Sequence, residues 1–121
     1  MSRRILIVED QEDNRRILRD LLASAGYGTI EAVTGEEGVA LADQHHPDLI
    51  LMDIQLPDLD GYEATRRIRA NPALRQTPII AVTSYALSGD GARALEAGCQ
   101  AYVAKPFSPR ALLVKIREYL P

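Results

Sequence analysis

The 121-residue sequence lacks the features typical of disulfide-rich secreted proteins, membrane-spanning proteins and nonspecific nucleic-acid-binding proteins. It contains one cysteine, Cys99, so no disulfide can form within the chain, and nothing suggests a secreted, disulfide-built domain. Its first apolar stretch is too short for a signal peptide or a membrane span. The net charge is −3, so the chain lacks the excess of basic residues that nonspecific nucleic-acid binding requires. We therefore expect a cytoplasmic protein without a membrane or nucleic-acid partner.

What is present is typical of one globular domain. Hydrophobic residues make up 46% of the chain and charged residues 26%, which is ordinary for such a domain. The length is close to the commonest domain size and is sufficient for one core. No linker, repeat or low-complexity tract interrupts the sequence. We expect residues 1–121 to form one domain, with no room for a second, effector domain unless the chain is part of a longer protein.

Apolar periodicity predicts five strands that alternate with five helices. Apolar and β-branched runs indicate strands over 4–8, 29–33, 48–52, 78–82 and 101–104. Helical patterns follow over 13–25, 36–44, 62–70, 91–97 and 109–120. Such alternation implies right-handed βαβ crossovers. The sequence therefore predicts an α/β fold with a doubly wound parallel sheet and helices on both faces.

Polar side chains follow four of the apolar runs, at the predicted carboxyl ends of the strands. They are Glu9, Asp10, Asp53, Thr83, Ser84 and Lys105. Each has a simpler explanation alone, as a capping, loop or solvated residue. In open α/β sheets, however, ligands bind at this edge, and a buried carboxylate is costly unless it is paired or metal-bound. Chance placement of the whole set at one edge is a poor explanation, so we interpret it as a site.

The chemistry of this set favours phosphoryl transfer. Three neighbouring carboxylates repel one another unless a cation lies among them, and oxygen-only ligands in a small hydrated site favour Mg²⁺. A metal on Asp53 would leave one carboxylate oxygen as a nucleophile. The Lys105 ammonium and the Thr83 hydroxyl would suit the oxygens of a transferring phosphoryl group. The residues alone therefore suggest an aspartyl-phosphate site.

Over essentially its full length the chain resembles the response-regulator receiver domains of two-component signalling, in the CheY-like superfamily. The resemblance is carried by Ile5 to Asp10, Asp48 to Asp53, Pro57, Asp60 and Gly61, Ala81 to Thr83, and Tyr102 to Phe107. Each segment alone is weak, but the joint pattern is highly specific. It implies a flavodoxin-like, CheY-like sheet with strand order 2-1-3-4-5. Residues 51–57 and 89–102 are most similar to the single-domain cell-division regulators of this family.

The resemblance implies an acceptor and a metal site. Asp53 would accept a phosphoryl group from a histidine kinase or a histidine phosphotransfer protein. Asp10 and Asp53 would coordinate Mg²⁺ together with the backbone carbonyl of Gln55. Glu9 would act on the metal largely through water.

The resemblance also implies a switch. Lys105, expected to precede a cis bond to Pro106, would pair with the phosphoryl oxygens. Thr83 would move to the phosphoryl group and Tyr102 would swing inward, which gives a two-state switch biased by one covalent charge. The surface of the fourth helix, fifth strand and fifth helix would then bind a downstream protein or adaptor. Gln100 and Ala101 stand where dimerising receivers carry acids, so we expect a monomer.

Three other interpretations compete with this one. A metal-dependent phosphatase that forms an aspartyl phosphate would need a general acid two residues past Asp53, where Gln55 stands. An FMN-binding flavodoxin relative would not carry the acidic loop 9–13, which repels phosphate. The chain could also be a receiver module of a larger hybrid kinase or regulator. We expect a switch rather than an enzyme, with only incidental autophosphorylation from small phosphodonors and slow autodephosphorylation.

Overall fold

The computed structural model describes residues 3–83 and 90–120. Within these residues five strands alternate with five helices. The strands are β1 (Arg4–Val8), β2 (Gly28–Ala32), β3 (Leu49–Asp53), β4 (Ile79–Thr83) and β5 (Ala101–Ala104). The helices are α1 (Glu12–Ser24), α2 (Gly35–His45), α3 (Gly61–Arg69), α4 (Asp90–Ala97) and α5 (Pro109–Tyr119). Ser84, which the sequence places at the binding edge, lies outside the described residues.

In the described part of the chain, the strands form one parallel sheet in the order β2-β1-β3-β4-β5. This confirms the predicted α/β fold, the doubly wound sheet and the strand order. Successive side chains alternate between two apolar cores, with Leu6 and Ile50 in one and Ile7 and Leu51 in the other. Helices α2, α3 and α4 cover the first core, and α1 and α5 cover the second. The continuous apolar runs of the central strands are explained by this two-sided burial.

Two strands reach one residue further than the sequence predicts, and both ends matter for the site. The predicted strands stop at Met52 and Val82, whereas β3 ends at Asp53 and β4 ends at Thr83. The prediction was wrong there because strand pairing continues past the apolar run, and Asp53 pairs in register with Val82. Asp53 and Thr83 are therefore held by the sheet itself rather than by a loop. The other predicted boundaries agree with the structure to within one residue.

Among the described residues, polar side chains cap α2, α3 and α5 at their N-termini, where backbone N–H groups have no partner within the helix. The caps are Thr34 for α2, Asp60 for α3 and Ser108 for α5. A short 3₁₀ helix, Pro72–Leu74, follows α3 where the sequence predicts only a helix end.

In residues 3–83 and 90–120, no helix combines the length and the apolar character needed to cross a membrane.

Asp58 ties the loop after β3 to the first turn of α2. Its Oδ1 accepts a hydrogen bond from Gly35 N at 2.8 Å, and its Oδ2 accepts one from Glu36 N at 2.9 Å. Desolvation, the largest single influence, raises the pKa of this carboxyl, but hydrogen bonds from the backbone N–H groups of Glu36, Gly35, Leu59 and Asp58 together outweigh it and lower the pKa to about 2. Because the pKa is lower in the folded state, the ionised carboxylate stabilises the fold at pH values above the ordinary pKa of 3.8. This stabilisation is lost as the pH falls through about 2.

Asp58→Asn is therefore expected to lower the free energy of unfolding at neutral pH by about 1 kcal/mol, the usual cost of a lost helix cap. The difference from the parent should shrink as the pH falls from about 4 to about 2, since the parent carboxyl is then protonated. Urea unfolding at several pH values measures it. The exposed Asp20 of α1 gives a charge-matched control, Asp20→Asn. A difference independent of pH would contradict the role of the ionised carboxylate.

Candidate functional site

The sheet register brings the predicted polar residues to one edge. Glu9 and Asp10 follow β1, which pairs with β3, and Asp53 ends β3. Thr83 pairs with the last residue of β5, directly before Lys105. Because all these strands run parallel, their carboxyl ends lie side by side. The described members of the predicted set therefore meet, although they come from four separate parts of the chain.

Three carboxylates form the floor of this site. One oxygen each from Glu9, Asp10 and Asp53 lies within 4.8 Å of the others. Glu9 is 2% exposed and Asp53 is 3% exposed, while Asp10 is half-buried. Burying this much negative charge is unfavourable unless a cation balances it. The donor set consists of carboxylate oxygens, so its chemistry fits a hard divalent cation such as Mg²⁺.

Lys105 supplies a positive charge to the same site. Its Nζ donates to Glu9 Oε1 at 3.0 Å and lies 3.3 Å from Asp53 Oδ1. Burial lowers the pKa of Lys105, but the charge of Asp53 and the hydrogen bond to Glu9 outweigh it, so the net effect is a raised pKa. Its backbone N donates to Thr83 O at 2.8 Å, and the peptide bond to Pro106 is cis, as expected. The ammonium is thus fixed beside Asp53 and stays charged at neutral pH.

Backbone N–H groups orient two of the carboxylates. Glu9 Oε2 accepts from Gln11 N at 3.1 Å, and Asp53 Oδ1 accepts from Gln55 N at 3.1 Å. Both oxygens of Glu9 are therefore engaged, one by this amide and one by Lys105. This agrees with an indirect role for Glu9 at a metal. The backbone carbonyl of Gln55 stays a predicted ligand.

Thr83 and Tyr102 lie on the same face of the sheet. Tyr102 pairs in register with Ala81, which is two residues before Thr83 on β4, so the three side chains project to one side. Thr83 is fully buried, whereas Tyr102 is 42% exposed. The predicted switch requires a buried Thr83 hydroxyl at the acidic edge and an exposed Tyr102 ring further from that edge on the same face of the sheet. The structure has this arrangement. The movement itself stays a prediction.

Gly61, the first residue of α3, packs directly on the end of β3. Its N–H donates to Ile54 O at 3.0 Å. A Cβ at this position would lie 2.8 Å from Ile54 Cα and would also overlap the carbonyl oxygen of Asp53. Only glycine permits this approach of the two backbones. The start of α3 therefore helps to fix the backbone that carries Asp53.

Sequence reasoning missed one residue that supports the site. Arg15 in α1 donates hydrogen bonds to the backbone carbonyl oxygens of Glu9 and Asp10. No local motif signals this contact, because an arginine near the start of a helix is usually solvated. It would become predictable only from knowledge of how α1 lies beside the loop.

Comparison with known proteins gives matches over nearly the whole chain. A family model described as the response regulator receiver domain matches residues 5–117. The polar-differentiation response regulator DivK of Brucella ovis is 46% identical over 120 residues, which cover 99% of this chain and 98% of that relative. This match agrees with the predicted similarity to single-domain regulators.

Solved structures of receiver domains and of a chemotaxis protein are also similar to this chain over nearly its whole length. The receiver domain of sensor histidine kinase PA1611 from Pseudomonas aeruginosa has a magnesium ion coordinated in its active site cleft. It is 41% identical to this chain, with a TM-score of 0.92 and coverage of 98% of both chains. Chemotaxis protein CheY4 of Vibrio cholerae is 26% identical, with a TM-score of 0.93 and coverage of 98% of this chain and 99% of CheY4.

Proposed function

The chain belongs to the response regulator receiver domain family of two-component signalling, and from this premise we propose that it is a phosphoryl-accepting switch. The observation that carries the proposal is the position of Asp53, whose buried carboxylate lies among two further acids and 3.3 Å from the Lys105 ammonium. Asp53 would receive its phosphoryl group from a histidine kinase or a histidine phosphotransfer protein. We take residues 1–121 as one cytoplasmic receiver domain.

In the proposed transfer, a carboxylate oxygen of Asp53 attacks the phosphorus of a phosphohistidine. The O–P bond forms, the N–P bond breaks, and the released imidazole takes up a proton. Among the described residues, the contacts of Asp53 engage Oδ1, which supports Oδ2 as the attacking atom. The Lys105 ammonium would stabilise charge on the phosphoryl oxygens as they approach Asp53.

Asp10, Asp53 and the backbone carbonyl of Gln55 would hold Mg²⁺, with Glu9 acting through water. The oxygen-only donor set supports this choice, as does the magnesium ion in the receiver domain of PA1611. When bound, the ion would neutralise part of the negative charge shared by the carboxylates and the incoming phosphoryl group.

The output would be a changed protein-binding surface. Thr83 would turn toward the phosphoryl group, and Tyr102 would move into the space behind it. Tyr102 lies beside Leu95 and Tyr119 in a groove between α4, β5 and α5, and the side chain of Leu95 is exposed. An inward movement of the ring would reshape this groove. We propose that a downstream protein or adaptor binds there and that the receiver itself is monomeric.

The phosphodonor would approach along a second groove. Its lining includes Asn14 and Ile17 of α1, Phe107 beyond β5, and Lys105, whose ammonium reaches Asp53. The groove has a volume of about 660 Å³, and Ile17 at its rim is exposed. An apolar surface beside the acceptor would suit a helix that carries a phosphohistidine. We therefore place the histidine kinase or phosphotransfer protein on this face.

A second candidate has the same chemistry in a different protein context. The 41% identity to the receiver domain of a sensor histidine kinase supports the interpretation that this chain is a receiver module of a larger protein. A phosphatase remains the poorer candidate because Gln55, rather than an acid, follows Asp53 by two residues. We propose a regulator rather than an enzyme, with only incidental autophosphorylation from small phosphodonors and slow autodephosphorylation.

Lys105→Met is expected to tighten Mg²⁺ binding several-fold, since the ammonium that competes for Glu9 and Asp53 is removed. The same variant should slow phosphorylation by acetyl phosphate by roughly tenfold, because charge on the phosphoryl oxygens loses a partner. Calorimetric Mg²⁺ titration and intact-mass time courses measure the two effects. Lys115→Met is the control, since Lys115 of α5 pairs at 3.8 Å with Glu118. Equal affinities and rates in both variants would contradict the role of Lys105.

The experiment that tests the proposed function is phosphorylation by acetyl phosphate or phosphoramidate with Mg²⁺, read out by intact mass. The proposal requires the gain of one phosphoryl group per chain. A chain that gains none, while a known receiver domain is labelled under the same conditions, would contradict it.

A further inference from the structure

Arg15 reaches from α1 back to the loop that carries two of the three acids. Its Nη1 donates to Glu9 O at 3.0 Å and to Asp10 O at 3.0 Å. The side chain of Arg15 is only 15% exposed, and hydrogen bonds sheltered from water are stronger than exposed ones. A single guanidinium thus fixes two consecutive peptide groups.

Glu31 on β2 holds this guanidinium from the other side. Its Oε1 lies 3.5 Å from Arg15 Nε, and its two oxygens accept from Arg19 Nη1 at 3.1 and 2.9 Å. Glu31 pairs in register with Ile7 of β1, so its own position is set by the sheet. Glu31 is shared with Arg19 and offsets only part of the Arg15 charge, but the hydrogen bonds of Arg15 to the loop go to backbone carbonyls, so Arg15 contributes geometry to the acidic site more than it contributes a counter-charge.

Asp10 is the acid that depends most on its backbone. Glu9 and Asp53 are each held through their carboxylates by Lys105 and by a backbone amide. Within residues 3–83 and 90–120, the Asp10 carboxylate instead makes a long contact, 3.4 Å from Gln11 Nε2. The place of this carboxylate beside two others, which repel it, is therefore set mainly by the peptide groups that carry it.

We propose that Arg15 is a positioning residue for the cation site: it holds the Asp10 carboxylate in place by fixing the carbonyls of Glu9 and Asp10. This inference rests on the proposed function, because it requires that the acidic cluster bind Mg²⁺. It assigns the network of Glu31, Arg15 and the loop to ion affinity rather than to fold stability alone.

The test is an Mg²⁺ titration of the full chain, in which the chemical shifts of the backbone amides in NMR spectra report Mg²⁺ binding. Arg15→Gln removes the bonds to both carbonyls, and Arg15→Lys keeps the charge but loses the planar guanidinium whose Nη1 contacts both carbonyls. Arg16→Gln is the matched control, since the neighbouring Arg16 is 59% exposed and pairs with Asp13. The free energy of unfolding is measured for each variant without Mg²⁺.

The sign of the change separates geometry from charge. Removing a nearby positive charge alone would leave Mg²⁺ affinity equal or slightly higher, which is the result expected for Arg16→Gln. Arg15→Gln should instead weaken Mg²⁺ binding by about tenfold, as is typical when a supporting contact of a metal site is lost. Arg15→Lys should fall between the parent and Arg15→Gln.

An Arg15→Gln chain that is folded and binds Mg²⁺ as tightly as the Arg16→Gln chain would overturn the inference while leaving the proposed function intact. If Arg15→Gln does not fold, Arg15→Lys decides in the same way: affinity equal to the parent overturns the inference. If the parent chain itself binds no Mg²⁺, the proposed metal site fails, and the role of Arg15 fails with it.

Discussion

Asp53→Asn is expected to abolish phosphoryl uptake from acetyl phosphate or phosphoramidate. An amide oxygen carries no full negative charge and is a far poorer nucleophile than a carboxylate, so the bond to phosphorus would not form. Asn has nearly the same shape, and the position is buried at the end of β3, so the fold should persist. Intact mass spectrometry after incubation with phosphodonor and Mg²⁺ measures the loss directly.

The control for this experiment is Asp20→Asn, which removes an exposed carboxylate from α1 and should be labelled like the parent. A circular dichroism spectrum of Asp53→Asn checks that lost labelling is not lost folding. If the Asp53→Asn chain gains a phosphoryl group at the parent's rate, the acceptor is another residue and the assignment of Asp53 is wrong.

Gly61→Ala is expected to lower the free energy of unfolding by about 3 kcal/mol, at the upper end of the usual cost of overpacking. The added methyl group would overlap Asp53 O and Ile54 Cα, and backbone atoms cannot turn aside as a flexible side chain can. The start of α3 would have to move away from β3. Because the displaced backbone carries Asp53, phosphorylation should also slow.

Gly28→Ala is the matched control, because the nearest atom to a Cβ there is the flexible Arg4 Cγ at 3.4 Å. Its expected effect on the free energy of unfolding is below about 1 kcal/mol. Urea unfolding gives the stabilities, and the intact-mass time course gives the rates. A Gly61→Ala chain as stable as Gly28→Ala would contradict the close approach of α3 to β3.

The architecture was predictable because its causes are local. Continuous apolar runs such as Leu49 to Met52 indicate strands buried on both faces, and the helical patterns between them require crossovers. Parallel strands then force the residues that follow them to one edge, which is why the sequence alone groups Asp10, Asp53 and Lys105.

The errors and omissions have long-range causes. Asp53 belongs to β3 because Val82 continues the pairing, and neither apolar pattern contains that information. Asp58 caps α2 from 22 residues further along the chain. Arg15 supports the loop after β1 only because α1 lies beside it, at a distance set by packing. Sequence patterns predict which groups meet at the edge, whereas these contacts follow from how the elements pack.

The measurement that tests the central claim most directly is the intact mass of the parent chain after incubation with phosphoramidate and Mg²⁺. We predict the gain of one phosphoryl group per chain, carried on Asp53. No phosphoryl group should be gained when a chelator removes the metal. A chain that stays at its unmodified mass, under conditions in which a known receiver domain is labelled, would contradict it.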